Sequence, residues 1–119
     1  ETGLKAVTDE KWLGFVIDQL ISNSLKYTKD GTISIYLKAP DVLCIQDTGI
    51  GIAPEDLPRV FDKGYTGYNG RKDKKASGLG LYLCKKICAR LGLKIYLESK
   101  PGEGTRVMID FEQYKLNAE

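Results

Sequence analysis

The stretch DTGIGIAP, from Asp47 to Pro54, follows the apolar run VLCI at residues 42–45. It places two glycines, Gly49 and Gly51, just after a carboxylate at the end of a predicted strand. Glycine loses more conformational freedom on folding than any other residue, so it is favoured where the backbone needs unusual geometry or a close neighbour. The pattern therefore indicates that this backbone approaches another group closely, and the identity of that group bears on function.

The composition is typical of one soluble globular domain. The chain has 119 residues, 42% of them hydrophobic and 29% charged, which is enough for one two-layer core but not for two. Its net charge of +2 does not by itself favour nucleic acid or a membrane surface, and no apolar run approaches the roughly 20 residues of a membrane span. Three cysteines in no metal-ligand spacing predict free thiols in a reducing compartment, with Cys84 and Cys88 packed in a helix.

The apolar pattern predicts alternating strands and helices. LKAV at Leu4–Val7 predicts a short strand, and TDEKWLGFVIDQLISNSLKYT then predicts a helix capped by Thr8 or Asp9. Residues 64–77 have no apolar period and are rich in glycine and lysine, which predicts a long loop. Four further strands and two further helices are predicted at residues 32–38, 42–47, 93–99 and 105–111, and at residues 54–63 and 78–92.

These elements predict an α/β fold of the α+β kind, with two layers. The sheet is expected to be mixed but mostly antiparallel, with about three helices packed on one face. The turns KDG and KPGEG argue against a doubly wound parallel sheet, because they are too short to return the chain to parallel pairing.

Three pairs of glycines stand out: Gly49 with Gly51, Gly78 with Gly80, and Gly102 with Gly104. None of the pairs fits the phosphate-loop pattern or the dinucleotide fingerprint. The second pair precedes a predicted helix, so its backbone amides and the helix dipole would suit phosphate oxygens. Taken singly, each pair is explained more simply as a turn.

Taken together and in order, the motifs resemble the ATP-binding domain of sensor histidine kinases, within the superfamily that includes gyrase, mismatch-repair and heat-shock ATPases. The resemblance runs from about Trp12 to Thr105, through the asparagine box QLISNSLKY, DTGIGI, the phenylalanine box VFDKGYTG, GLGLYL and GEGT. It implies a Bergerat-type fold with a long ATP lid. The pairing of FDKGYTGYNGR with GLGLYLCKK is most similar to short membrane sensor kinases of Gram-positive bacteria that respond to cell-wall antibiotics.

The resemblance gives Asp47 the hydrogen bond from the exocyclic amine of adenine. Guanine has a carbonyl oxygen at that place, so two acceptors would face each other, and Asp47 would select ATP over GTP. Gly49 and Gly51 would let the backbone pass close to the base, and Ile52 and Thr105 would complete the pocket. The simpler alternative is an aspartate that closes a turn at the end of a strand.

Gln19, Asn23 and Lys26 recur at helical spacing, so one helix could present them together to a triphosphate. Asn23 matches the family's magnesium-binding asparagine, Lys26 would neutralise phosphate charge, and Tyr27 would stack against adenosine. Many superfamily members carry a glutamate base or an asparagine at the place of Gln19. Because an amide cannot take a proton, Gln19 is expected instead to orient a nucleophile or magnesium-bound water. A solvated polar stripe is the alternative for this helix face.

The loop at residues 64–77 corresponds to the ATP lid of the family. Lys63 and Arg71 are the candidates for contact with the triphosphate, although a solvated loop would carry the same charges. The second glycine box would hold the phosphates through Gly78, Leu79, Gly80 and Leu81.

In histidine kinases the phosphate acceptor is a histidine on an upstream helical dimerisation domain, and this chain contains no histidine. We therefore expect residues 1–119 to be a single, excised and monomeric catalytic domain that presents the γ-phosphate of Mg-ATP to a separate acceptor domain. The parent protein is expected to be a homodimeric sensor in the bacterial inner membrane. Its catalytic domain would lie in the cytoplasm, signal to a response regulator and bind no nucleic acid.

Three other functions remain open on the residues alone. A stand-alone serine kinase of the anti-sigma type shares the nucleotide pocket, although the phenylalanine box argues against it. A nucleotide-gated interaction module would use the lid to report ATP to a partner without catalysis. The basic run GRKDKK at residues 70–75 is compatible with nucleic-acid binding, against which the modest net charge argues.

Overall fold

The computed structural model describes residues 2–64 and 80–111, with side chains from Asp9 onward. Within these ranges neither α-helix is both long enough and apolar enough to cross a membrane. The elements in chain order are helix α1 (Thr2–Tyr27), strands β1 (Ile33–Ala39) and β2 (Val42–Asp47), a short 3₁₀ helix (Leu57–Arg59), helix α2 (Gly80–Leu91), and strands β3 (Lys94–Lys100) and β4 (Gly104–Asp110).

The four strands form one sheet in the order β1-β2-β4-β3. Two hairpins build it, β1 with β2 and β3 with β4, and the two hairpins join through β2 and β4. The predicted α+β fold is confirmed. The sheet was expected to be mostly antiparallel, and every described pair of strands is antiparallel, because the short turns reverse the chain within each hairpin.

The core lies between the two helices and one face of the sheet. Val16 and Leu20 of α1 are buried four residues apart, as are Cys84 and Cys88 of α2, so each helix buries one stripe. Alternate strand residues meet these stripes, since successive side chains of a strand point to opposite faces. The strands and the α2–β3 turn contribute Ile45, Leu93, Ile95, Val107 and Ile109 to the same core.

Two of the predicted elements are wrong. The strand predicted at Leu4–Val7 is part of α1, which begins at Thr2; Leu, Lys and Ala are good helix formers, and the segment continues directly into the helix that follows it. The helix predicted at residues 54–63 is reduced to the 3₁₀ helix Leu57–Arg59. Pro58 lies within that segment, and proline in a helix interior removes a backbone hydrogen bond and clashes with the preceding turn. The described part of the chain therefore has two α-helices where three were predicted.

The three cysteines are free thiols, as predicted, and all are buried. Cys84 and Cys88 belong to the helix–sheet core. Burial raises the pKa of the Cys84 thiol to about 12, with a smaller contribution from the neighbouring Cys88. Burial likewise raises the pKa of Cys88 to about 11. Both groups are therefore uncharged packing residues at neutral pH.

Candidate functional site

Asp47 is buried at the end of β2, with 5% of its surface exposed. Its Oδ1 accepts hydrogen bonds from the backbone N–H of Gly49 at 2.9 Å and of Thr105 at 3.2 Å. The sheet register makes these bonds possible, since Asp47 lies directly opposite Thr105. Within the described residues both recorded bonds reach Oδ1, so Oδ2 keeps its capacity to accept from a ligand.

The loop after Asp47 is held between two other backbone segments. A Cβ on Gly49 would overlap the carbonyl oxygen of Tyr27 at the end of α1, and one on Gly51 would overlap the carbonyl oxygen of Lys100. Gly51 also has φ +76°, in the region that favours glycine. The N–H of Ile50 donates to the same Tyr27 oxygen at 3.2 Å. The close neighbour indicated by the two glycines is thus the protein's own backbone, and approach to a nucleotide base stays a prediction.

Ser99 joins this loop to the β3–β4 hairpin. The backbone N–H of Ile52 donates to Ser99 Oγ at 2.8 Å. Ser99 Oγ donates to the carbonyl oxygen of Gly104 at 2.8 Å and lies 2.8 Å from Thr105 Oγ1. The hydroxyl therefore holds the loop, the turn and the start of β4 in one arrangement beside Asp47.

Ser99 is not among the residues predicted from the sequence. In β3 it follows Ile95 and Leu97 at a spacing of two, which places it on the face that carries the core. A polar residue at the end of an apolar alternation, next to the turn KPGEG, was the available signal. Its partners became apparent only with the register that sets Ser99 opposite Thr105.

The predicted residues of α1 lie in its last three turns. Gln19 and Asn23 are half-buried and Lys26 is exposed, with its ammonium 5.6 Å from the centroid of the Tyr27 ring. A Cβ on Gly80 would lie 3.0 Å from Oε1 of Gln19. The asparagine box and the second glycine box, which are about 60 residues apart in sequence, are therefore adjacent in the fold.

Gly80 and Leu81 form the first turn of α2, which contains no acidic side chain. The unpaired backbone amides of such a turn favour anions. Lys63 is exposed, and its ammonium lies 5.9 Å from the ring centroid of Tyr82 in the same turn. Three predicted site residues, Arg71, Gly78 and Leu79, lie outside the described residues.

The described site therefore offers two kinds of chemistry. At the end of the sheet, a buried carboxylate with a spare acceptor oxygen suits a ligand that donates through N–H groups. At the junction of the helices, amide side chains and the N-terminal end of α2 suit phosphate oxygens and a hard cation.

Comparison with known proteins identifies the family of this chain. The family model described as "Histidine kinase-, DNA gyrase B-, and HSP90-like ATPase" matches residues 8–115. The sensor histidine kinase GraS of Staphylococcus epidermidis is 41% identical over 112 residues, which are 92% of this chain and 32% of GraS. The sensor protein BceS of Bacillus subtilis is 41% identical over 110 residues, covering 90% of this chain and 33% of BceS. The chain thus spans about a third of the length of these relatives.

The fold also matches a solved structure, that of full-length ShkA in complex with AMPPNP. The TM-score is 0.69 at 24% identity, over 82% of this chain and 20% of ShkA. At this identity the likeness concerns the fold alone. The sequence relatives confirm the resemblance to sensor kinases of Gram-positive bacteria. Because the family model matches residues 8–115 of the 119 in the sequence, this protein belongs to the family of histidine kinase-, DNA gyrase B- and HSP90-like ATPases.

Proposed function

We propose that this domain binds Mg-ATP and presents its γ-phosphate to a histidine on a separate domain of a two-component sensor kinase. Asp47 carries the proposal, because its buried carboxylate keeps one oxygen available at the end of the sheet. The exocyclic amine of adenine would donate to that oxygen, whereas the 6-oxo group of guanine would face it acceptor to acceptor. A buried unpaired acceptor is costly, so the pocket should favour ATP over GTP.

Phosphates and magnesium would lie at the junction of the helices. The side-chain oxygen of Asn23 is a hard ligand of the kind that magnesium accepts, and the first turn of α2 offers backbone amides to phosphate. The described residues contain no group of three or more His, Cys, Asp or Glu side chains placed to hold a metal. Magnesium that arrives with a nucleotide keeps phosphate oxygens and water as most of its ligands, so Asn23 would be sufficient from the protein.

Gln19 and Lys26 would act on the reacting end of the nucleotide. Gln19 lies against Gly80, where its neutral amide could orient the phosphate or a magnesium-bound water without adding negative charge. Lys26 is exposed on the same helix, one turn beyond Asn23, and would neutralise phosphate charge. Catalysis in this account consists of positioning and charge neutralisation, which dominate phosphoryl transfer.

The remaining parts of the reaction come from outside this chain. It contains no histidine, so the acceptor imidazole must be supplied by another domain, as in sensor histidine kinases. The relatives are sensor kinases about three times as long as the matched region, which leaves room for such a domain in a parent protein. A response regulator would then take the phosphate, and the parent would be a dimeric membrane sensor with this domain, monomeric by itself, on the cytoplasmic side.

Calorimetric titration of ATP and GTP with magnesium tests the proposal. The wild-type domain should bind ATP and discriminate against GTP. Asp47→Asn should lose that discrimination and bind ATP more weakly, because the N–H groups of Gly49 and Thr105 would keep the amide oxygen in the place of Oδ1, and the amide NH2 would face the ligand as a donor. Asp41→Asn is the matched control, since Asp41 precedes the opposite end of the same strand, and it should behave as wild type. Binding of neither nucleotide by the wild type would overturn the proposal.

A further inference from the structure

Asp47, Thr105 and Ser99 form a continuous polar row across three adjacent strands. Asp47 of β2 lies opposite Thr105 of β4, which lies opposite Ser99 of β3. Because neighbouring strands align their side chains, all three lie on the face of the sheet that bears the core, just beyond its last apolar row. The row therefore ends the core and borders the proposed adenine site.

The protons of this row can be assigned by elimination. A serine hydroxyl has one proton to donate and two lone pairs to accept with. The proton of Ser99 goes to the carbonyl oxygen of Gly104, which can only accept. One lone pair takes the N–H of Ile52, which can only donate. The remaining lone pair faces Thr105 Oγ1 at 2.8 Å, so this contact is satisfied only when Thr105 is the donor.

The assignment has a consequence for any ligand next to Thr105. With its only proton directed at Ser99, Thr105 Oγ1 can offer nothing but lone pairs to the pocket. Asp47 also offers only acceptor oxygen there. The site thus presents two acceptors, which match the two N–H bonds of a 6-amino group or a bridging water that donates to both.

We propose that Ser99 is a specificity-determining residue, which positions the Thr105 hydroxyl as an obligate acceptor so that the pocket selects 6-amino over 6-oxo purine nucleotides. Ser99 does not itself touch the base in this arrangement; it acts through Thr105. The proposal rests on the proposed function, since it concerns the base-binding end of the same site. If Ser99 only held the loop in place, its removal would instead weaken the binding of both kinds of nucleotide equally.

The test compares ATP with inosine triphosphate, in which a 6-oxo group replaces the amine and N1 carries a proton. Calorimetric affinities with magnesium give the ratio of the two dissociation constants for the wild type, Ser99→Ala and Ser99→Thr. Ser99→Ala frees the Thr105 proton to donate to a 6-oxo group, so the preference for ATP should fall by about tenfold, the factor of a typical net hydrogen bond. Ser99→Thr keeps the hydroxyl and should keep the wild-type ratio. Equal weakening of both nucleotides by Ser99→Ala would overturn the proposal.

A double-mutant cycle with Thr105→Val separates positioning from direct contact. Thr105→Val should lower the preference for ATP, and Ser99→Ala should then change the ratio no further, because its effect passes through the missing hydroxyl. Additive changes in the ratio would contradict this route. If thermal unfolding shows that Ser99→Ala does not fold, the test relies on Thr105→Val. An unchanged ratio of the ATP and inosine triphosphate dissociation constants in that variant overturns the proposal.

A ligand-free measurement distinguishes this inference from the proposed function. In NMR spectra of the wild-type domain, the Thr105 hydroxyl proton should exchange slowly with water, unlike that of the exposed Thr32. Rapid exchange would contradict the hydrogen-bond assignment whether or not nucleotide binds. If exchange is slow but the wild-type domain binds no nucleotide, the proposed function is overturned, and the role of Ser99 in base selection with it. The hydrogen bond from Thr105 to Ser99 would still stand.

Discussion

Gln19 and Gly80 meet where the two helices pack together: a Cβ on Gly80 would lie 3.0 Å from Oε1 of Gln19. The two residues belong to separate sequence motifs, one in α1 and one at the first position of α2. The contact links a polar face of the first helix to the anion-favouring end of the second, and a side chain at position 80 would displace the Gln19 amide.

Gly80→Ala should therefore weaken nucleotide binding while leaving the domain folded. The neighbour of the added methyl group is the end of a flexible side chain, which can move aside at little cost in stability. The methyl and the displaced amide would crowd the phosphates, so we expect about tenfold weaker ATP binding with adenosine binding unchanged. Gly14→Ala is the control, since nothing lies within 4 Å of that position in α1. The control should stabilise the domain by about 0.5–1 kcal/mol and leave its ATP affinity unaltered. A loss of adenosine affinity in Gly80→Ala would contradict the placement of the phosphates beside Gly80.

Gly51→Ala should destabilise the domain more than Gly102→Ala. Both glycines have positive φ, +76° and +79°, so alanine at either position bears a left-handed conformational cost of about 1–2 kcal/mol. Only at Gly51 would the new Cβ also overlap a backbone carbonyl, that of Lys100, whereas nothing lies within 4 Å at Gly102. The additional overlap should cost about 1–3 kcal/mol. Denaturant unfolding of both variants gives the difference, and equal losses would show that the loop is not clamped against Lys100.

The strands were the part of the fold best predicted from sequence. All four were placed within a residue or two, because alternating apolar positions and short turns mark a half-buried sheet. The start of α1 was predicted wrongly because four apolar-rich residues fit a strand as well as the first turn of a longer helix. The segment around Pro58 was predicted wrongly because Pro58 lacks the backbone donor that a longer helix needs.

Site residues that belong to a sequence motif could be predicted. A residue whose role depends on the register of the strands could not. Asp47 and Thr105 were named from sequence, and the sheet brings them together. Ser99 could not be named, because its three hydrogen bonds depend on how the β3–β4 hairpin aligns with the loop after β2. A close neighbour was correctly predicted for Gly49 and Gly51, but in the structure that neighbour is the protein's own backbone.

The buried thiols predict a loss of stability at alkaline pH. Cys84 and Cys88 have pKa values raised to about 12 and about 11, from an ordinary value of 9.0. The unfolded chain therefore releases these protons first, so their contribution to stability is complete below pH 9 and declines as the pH rises from 9 towards 11–12. The free energy of unfolding, measured from pH 7 to pH 11, should fall less steeply for Cys84→Ala/Cys88→Ala than for the wild type. Identical slopes for the two proteins would mean that the thiols do not couple to folding.

The proposal that this domain binds ATP and a separate domain accepts the phosphate predicts where label from ATP appears. With γ-labelled ATP the isolated domain should acquire no phosphohistidine, because the chain contains no histidine to accept the phosphoryl group. Adding a histidine-bearing helical domain from a related sensor kinase should produce acid-labile label on that domain, and Asp47→Asn should reduce the labelling because it weakens ATP binding. Asp41→Asn should label the acceptor like the wild type. Label that appears on a serine of an added protein would instead support a serine kinase, and ATP binding without transfer to any acceptor would favour a nucleotide-gated interaction module.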